Sequence, residues 1–402
     1  MAAAATRRYR LALATSMSAP LPTTLRLLQS ITDVPASAWD ALVDPASVPF
    51  LEWGFLAALE ESGSVVPERG WHPRHLTLWR GARLIAAAPA YLKDDSHGEF
   101  VFDAAWATLA ERAGLRYYPK LVLGVPFTPA TGRRVLVAPG EDAPSREMEL
   151  YSAALEYARA EGLSSVHVLF PTPEELPVLE AQGYALRLGV QYLWRNAGYR
   201  TFEDFLGRFR SKRRHQIQRE RQALEAQGIT VRTLRGDALE EVDAARAHRL
   251  YVSTVDRYPW GVRSLTEDFF ARLLAGFRHR CEFVEARREG RAVAGAFNFT
   301  GPRTLYGRYW GALEEHPFLH FNVCLYHPVE DCIAQGRERF EPGAGGEHKL
   351  TRGFEPHLTY SAHLFLHPGL DRAVRGFLAH ERAAVESGLP LWWAETGFKE
   401  RV

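Results

Sequence analysis

Cysteine is scarce: 402 residues hold three, Cys281, Cys324 and Cys332. They form no Cys-x-x-Cys pair and no disulfide framework, which suits a reducing cytoplasm. Neither sign of charge dominates, since 49 Lys and Arg against 48 Asp and Glu leave a net charge of +1. So balanced a chain is not built to coat nucleic acid or an anionic membrane, and DNA is not an expected partner; any polyanion contact must come from a local patch. Long apolar runs are missing too. The best, residues 84–92, contains Pro89 and falls short of the roughly 18–20 residues of a membrane span. GxSxG, GxxxxGK[ST] and GxGxxG are absent, so hydrolase, nucleotide-triphosphatase and dinucleotide readings lose their warrant. Histidines crowd the last quarter, including His316, His320, His327, His348, His357, His363 and His367. No pair reproduces HExxH or a cysteine-assisted site, so neither a metal nor a tightly bound cofactor is expected.

What is present is ordinary soluble-protein material, 46% hydrophobic and 24% charged, in a chain long enough for two or three domains. Residues 1–20 carry Arg7, Arg8 and Arg10 before Leu11-Ala-Leu-Ala14, an apolar stretch too short for a secretory signal. Residues 1–24 read as a disordered extension, with Met17 as an alternative start and an organelle transit peptide as a further reading.

Two helical pieces over residues 31–62 bury Trp39, Leu42, Phe55, Leu56 and Leu59. Strands follow at 75–79 and 84–92, separated by Gly81, then a helix near 106–113 and strands at 121–125 and 134–137. Residues 145–160 form a clear helix, with a strand at 166–170, a short helix at 174–182 and a strand pair over 184–194. The second half repeats this order: strand, charged turn at Glu289-Gly290, small-residue strand 292–299, then a strand at 303–310. A helix over 318–335 bears Phe321, Leu325, Val329 and Ile333 on one face. Strands at 339–340 and 358–365 complete the half. Two units sharing one string of elements imply an internal duplication. Between them residues 202–227 read as one long helix with Thr201 as N-cap and Asp204 at the capping-box position.

Three segments carry chemistry. The connecting helix packs seven Lys and Arg and one acid, Glu220, into residues 208–221. This is either a solvated face or a phosphate site, with Lys212, Arg213 and Arg214 the densest cluster. In the strand around Tyr306, Arg308, Tyr309 and Trp310, alternation puts Tyr306, Arg308 and Trp310 on one face and Tyr309 on the other; an arginine among aromatics points to a ligand groove. Residues 340–356 combine Gly343, Gly345 and Gly346 with Glu347, His348, Lys349 and Arg352. Glycines at positive φ let backbone N–H groups converge beside a lysine, an arrangement that can hold developing negative charge; a plain surface hairpin is the alternative.

Taken together, these residues resemble the FemAB-like branch of the GNAT acyltransferase superfamily, from about Asp40 to about Ala384. The resemblance is carried by Glu52-Trp53, Leu59-Glu-Glu-Ser-Gly63, Ala90-Tyr-Leu-Lys93, Gly98-Glu-Phe-Val-Phe-Asp103, Arg116-Tyr-Tyr-Pro-Lys120, Val125-Pro-Phe-Thr-Pro129, Leu305-Tyr-Gly-Arg-Tyr-Trp-Gly311, Leu319-His-Phe321 and residues 340–356. It implies an α/β (α+β) fold of two tandem GNAT-like domains, each a mixed β-sheet flanked by helices. They would occupy 25–195 and 196–390, with the basic helix 202–227 in the second and a tail over 391–402. FemAB-type enzymes move an aminoacyl group from aminoacyl-tRNA to an amine on a peptidoglycan precursor, and a lysine in a Lys-x-Gly-Phe motif steadies the reacting carbonyl. Lys349-Leu-Thr-Arg-Gly-Phe354 is similar, with three residues rather than one between lysine and glycine. The GNAT acetyl-CoA loop is absent from both halves, and Asn322 and His327 stand where acidic and amide residues are expected.

The resemblance implies an N-acyl- or aminoacyltransferase, with aminoacyl-tRNA or acyl-CoA as donor and a small-molecule or peptide amine as acceptor. Lys349 and the Gly343, Gly345 and Gly346 backbone would hold the oxyanion, and His348 or Glu347 would take the proton. Arg308, Arg352 and Tyr309 would orient the acceptor, with Tyr306 and Trp310 lining its groove, while Lys212, Arg213 and Arg214 would meet nucleotide phosphates. A catalytically silent module binding a cell-wall or nucleotide-linked ligand is the alternative, and RNA binding through the basic helix a third reading.

Overall fold

The computed structural model describes residues 8–9 and 22–399. Within the expected disordered extension over 1–24, Arg8–Tyr9 instead forms a short strand antiparallel to Thr23–Leu28, which already includes Thr23 and Thr24; the alternative start at Met17 lies outside the described residues. Among the described residues no helix is long and apolar enough to cross a membrane.

The chain forms two compact units. Unit 1 runs to Gly189 and takes up Thr359–Ala383 again; unit 2 holds Val190–Leu358 and resumes at Ala384. Where the sequence reading places one cut at 195/196, the chain passes between the units three times. Strand alternation states which face is buried but not which partner a strand will find, so a late strand that joins the first unit is invisible to it.

In unit 1 the antiparallel strands His75–Arg80 and Arg83–Ala88 form the expected hairpin. Pro89 has no N–H to give to a ladder, and past it Ala90–Lys93 leaves that sheet to pair with Trp71–Pro73 and Lys120–Leu123. The helix Ala143–Ala160 then crosses over to Ser165–Leu169, which lies parallel to Lys120–Leu123. Residues 361–365 pair antiparallel with Ser165–Leu169. Leu121, Leu123, Val166 and Val168 face Leu150, Ala154 and Ala158 of the crossover helix in one core.

Unit 2 repeats the order. Cys281–Arg288 and Arg291–Thr300 form a hairpin turning at Glu289 and Gly290, and Thr304–Ala312 adds antiparallel to it. A helical crossover leads to Arg339–Glu341, parallel to the start of Thr304–Ala312. Both units are therefore mixed sheets flanked by helices, the tandem design that the resemblance implied.

Several expectations change. The residues read as one helix over 202–227 form two, Phe202–Gly207 and Ser211–Glu225. The break is held open because Phe209 bridges Phe398, Arg210 N–H donates to the Gly397 carbonyl and Lys399 N–H to the Arg208 carbonyl. The expected tail over 391–402 is thus built into unit 2 as far as Lys399, and the rest lies outside the described residues. Residues 184–194 form one strand, Ala185–Arg195, rather than a pair. The helix over 318–335 is interrupted by a π-helical stretch, Asn322–Tyr326. The strand Ile229–Leu234 and the helices Ala244–Val255, Glu267–Gly276 and Pro368–Glu395 complete the fold.

Candidate active site

The site lies in unit 2, where two parallel strands part. Thr304–Ala312 pairs with Arg339–Glu341 only from Thr304 to Tyr306. Beyond Tyr306 the longer strand stays with Arg291–Thr300, and the register slips between Phe297 and Asn298, leaving Arg308 as an extra residue. That bulge overturns the expected alternation. Tyr306 and Tyr309 pair with Phe299 and Phe297 and share their face, whereas Trp310 pairs with Ala296 on the other. One extra residue is enough to flip every side chain after it.

The loop 342–346 fills the opening. Gly343, Gly345 and Gly346 have φ of 86°, 68° and 85°, a region that residues with a Cβ avoid. The short 3-10 helix Glu347–Arg352 follows and brings Lys349 back under the loop. Lys349 Nζ donates to the Gly343 and Gly345 carbonyls at 2.8 and 2.7 Å and lies 3.5 Å from that of Ala344. This corrects the expected backbone role: carbonyl oxygens, not N–H groups, converge here. The glycine loop is a cradle for the ammonium rather than for an oxyanion.

Lys349 is only 6% exposed, and burial pushes its pKa down to about 8, with Arg308 adding repulsion and the Cys324 thiol opposing both. Arg308 has a side chain 3% exposed; it donates to the Gly307 carbonyl at 2.8 Å and stands 3.8 Å from Glu341 Oε2. It faces inward beside Glu341 rather than lining an open groove. Burial raises the Glu341 pKa against the pull of Arg308, and its Oε2 makes no hydrogen bond among the described residues. Glu341 is the carboxylate that the sequence reading missed; its only signal was its place beside the glycine-rich turn.

Arg352 is also corrected. Its Nε and Nη2 donate to both oxygens of Glu220 at 2.9–3.2 Å, and its Nη1 donates to the His348 carbonyl at 2.9 Å. The guanidinium lies 3.4 Å over the Phe321 ring. Arg352 clamps the loop to the basic helix and is not placed to orient a substrate. Tyr309 belongs to an aromatic cluster with Phe269, Phe270 and Phe299, so it too is a packing residue. Trp310 is half-buried with its ring 5.1 Å from His320, and Tyr306 is buried.

His348 and Glu347 are exposed at the rim. The His348 ring stands 5.7 Å from His320 and 5.6 Å from Phe321; burial, Lys349 and Arg352 all lower its pKa. On the helix Ser211–Glu225, Lys212 is exposed and Arg213 and Arg214 are half-buried. Arg213 donates to Gln216 at 2.8 Å and Gln216 to Glu220 at 2.8 Å, so one polar chain joins the basic helix to Arg352. Asn322 is structural, donating to the Glu220 and Phe318 carbonyls, and His327 lies within 2.9 Å of the Thr233 hydroxyl.

Gly353 closes the motif at φ +85°, and a Cβ there would come within 2.7 Å of ring carbons of Phe205 and Phe209. Gly353→Ala combines backbone strain with overpacking and should cost about 3 kcal/mol or more. A thermal-unfolding midpoint unchanged from wild type would contradict it.

The sequence matches the FemAB-like family, described as peptidoglycan biosynthesis/recognition, over residues 30–400. No functionally curated protein matches it. Among solved structures, FemX superposes with a TM-score of 0.51 at 13% identity, covering 85% of this chain and 98% of its own. The C-terminal domain described as that of a lysylphosphatidylglycerol synthetase from Agrobacterium fabrum superposes at 0.50 and 11% identity, covering 87% and 96%. A tandem GNAT protein from the clavulanic acid biosynthesis pathway aligns at 0.45 with 14% identity, covering 86% and 99%. At such identities the first two structures speak for the fold alone, but the family match spans nearly the whole sequence, and this chain belongs to the FemAB-like family.

Proposed function

We propose that the chain is an N-acyl- or aminoacyltransferase that moves an acyl group from an ester or thioester, aminoacyl-tRNA or acyl-CoA, to a small-molecule or peptide amine such as a cell-wall precursor. The observation that carries this reading is the buried ammonium of Lys349 in its carbonyl cradle. The amine nitrogen bonds to the carbonyl carbon, negative charge builds on oxygen, and the C–O or C–S bond then breaks. Two strong hydrogen bonds fix the ammonium. Its third donor, 3.5 Å from the Ala344 carbonyl, is weakly used and is the one a developing oxyanion would take. Such a contact in a dry site is worth about 3–4 kcal/mol. The amine's proton goes to the rim, where His348 is neutral at pH 7 and can accept it. Lys212, Arg213 and Arg214 would meet the phosphates of a nucleotide-linked substrate or donor.

The role requires Lys349 protonated, which fixes the sign of the pH dependence. Its pKa of about 8 means that the active form is complete at neutral pH and is lost as pH rises through 8. Transfer rates, measured with candidate donors against a panel of amines, should fall on that alkaline limb. Lys349→Arg should move the limb upward, because a guanidinium keeps its proton. A limb unmoved by Lys349→Arg would sink the assignment.

A further inference from the structure

One sheet face in unit 1 carries charge where its reverse carries the core. Trp71 pairs with Lys93, Lys93 with Lys120, Val122 with His167, and His167 with His363. Counting by twos, Trp71, Lys93, Lys120, His167 and His363 share one face, and each is at most 1% exposed. Sheets covered on both faces are normally apolar throughout. Packing alone would not select a buried row of two lysines and two histidines.

The segment 94–103 covers part of this face. Lys120 Nζ donates to Ser96 Oγ at 2.8 Å, Glu99 Oε2 at 2.8 Å and Asp103 Oδ2 at 2.5 Å. Lys93 Nζ donates to Asp95 at 3.0 Å and sits 3.7 Å over the Trp71 ring. Lys120 has thus spent its three donors, and each carboxylate gives it only one oxygen. The second oxygens, Glu99 Oε1 and Asp103 Oδ1, are enclosed without a hydrogen-bond partner among the described residues, as is Trp71 Nε1. Each oxygen belongs to a carboxylate whose other oxygen touches the same nitrogen. Asp95, half in solvent, pairs with Lys93, whereas the two buried carboxylates of Glu99 and Asp103 share the single ammonium of Lys120. Burial pushes Glu99 up to about 7, with Lys120 opposing and Asp103 adding to the rise. Buried polar atoms are rarely left unpaired.

We propose that this face of unit 1 is a binding site for a primary ammonium group, carried by an amine or an amino-acid side chain and held by Glu99 Oε1 and Asp103 Oδ1. Its N–H donors match the two vacant acceptors, and its charge cancels the excess. A quaternary ammonium brings the charge without the donors and does not fit. Access is through the covering segment, where Phe100 holds a left-handed φ of 57° and Phe102 is 82% exposed. The site stands on unit 1 alone and does not depend on the reaction assigned to Lys349.

The test uses the full chain at neutral pH, with n-butylamine and tetramethylammonium at matched ionic strength, followed by calorimetric titration and thermal unfolding. Butylamine should bind saturably and raise the unfolding midpoint, whereas tetramethylammonium should do neither. Glu99→Gln should weaken butylamine binding about tenfold or more, and Lys349→Ala should leave it unchanged. Equal responses to the two cations, or no saturation up to millimolar amine, would mean that the vacant oxygens hold only water. Binding lost in Lys349→Ala but kept in Glu99→Gln would place the amine in unit 2 and overturn the site. If Glu99→Gln does not fold, the comparison of the two cations on the wild-type protein decides.

Discussion

Lys349→Ala lowers the transfer rate about 10²–10³-fold, the loss seen when one donor to an oxyanion is removed from a dry site, while the fold survives. The two halves of that expectation come from the same burial. Holding an ammonium in a site that depresses its pKa to about 8 costs the folded state about 3 kcal/mol relative to the solvated side chain. The sign follows: the folded protein binds this proton less tightly than the unfolded chain, so the penalty is complete below pH 8 and fades as pH rises toward the ordinary lysine value. Removing the side chain removes the penalty and exposes the Gly343 and Gly345 carbonyls to water. The unfolding midpoint of Lys349→Ala should therefore stay near that of wild type or rise, while turnover collapses. A packing lysine would give the opposite pair of results, full turnover with a lowered midpoint. Added ammonium ions should restore part of the rate, since the cradle that grips Nζ can grip a free ammonium.

Much of the fold was legible in the sequence, and less of the site. The stripe Leu325, Val329 and Ile333 does reach the unit 2 core, and the small-residue strands pair as hairpins in both units, because periodicity reports burial directly. The glycines of 343–346 do take positive φ. What they present was not legible. A glycine's tolerance of left-handed φ says nothing about its ψ, and ψ decides whether the N–H or the carbonyl points into the turn. Arg308 shows a second limit. Alternation assigns faces only while the register holds, and the slip beside Asn298 depends on the neighbouring strand, not on the residues around Arg308. The break at 208–210 has the same character: the local sequence favours helix, and the competing partners, Gly397 to Lys399, arrive from the far end of the chain. Glu341 escaped notice because a single acid before Pro-Gly is common in turns, and only its burial beside Arg308 sets it apart.

Glu220 and Arg352 define the larger stability effect. Their side chains are 4% and 8% exposed, and Glu220 also accepts from Gln216 Nε2 and the Tyr326 hydroxyl. The pair is therefore buried and largely satisfied, which makes breaking it costly and replacing it cheap. Arg352→Met leaves a carboxylate buried without its cation and should destabilise by about 3–5 kcal/mol, lowering the unfolding midpoint by about 10 °C. Glu220→Leu strands the guanidinium instead and should cost about as much. The double variant Glu220→Leu/Arg352→Met removes both charges and should recover most of the loss, giving a strongly favourable coupling in the cycle. Activity separates from stability at this point. Arg352 also holds the His348 carbonyl, one residue before Lys349, so the double variant should regain its midpoint without regaining its turnover. If the single variants lose only a few tenths of a kcal/mol, the clamp is exposed to water in solution, and the loop it holds is not set by it.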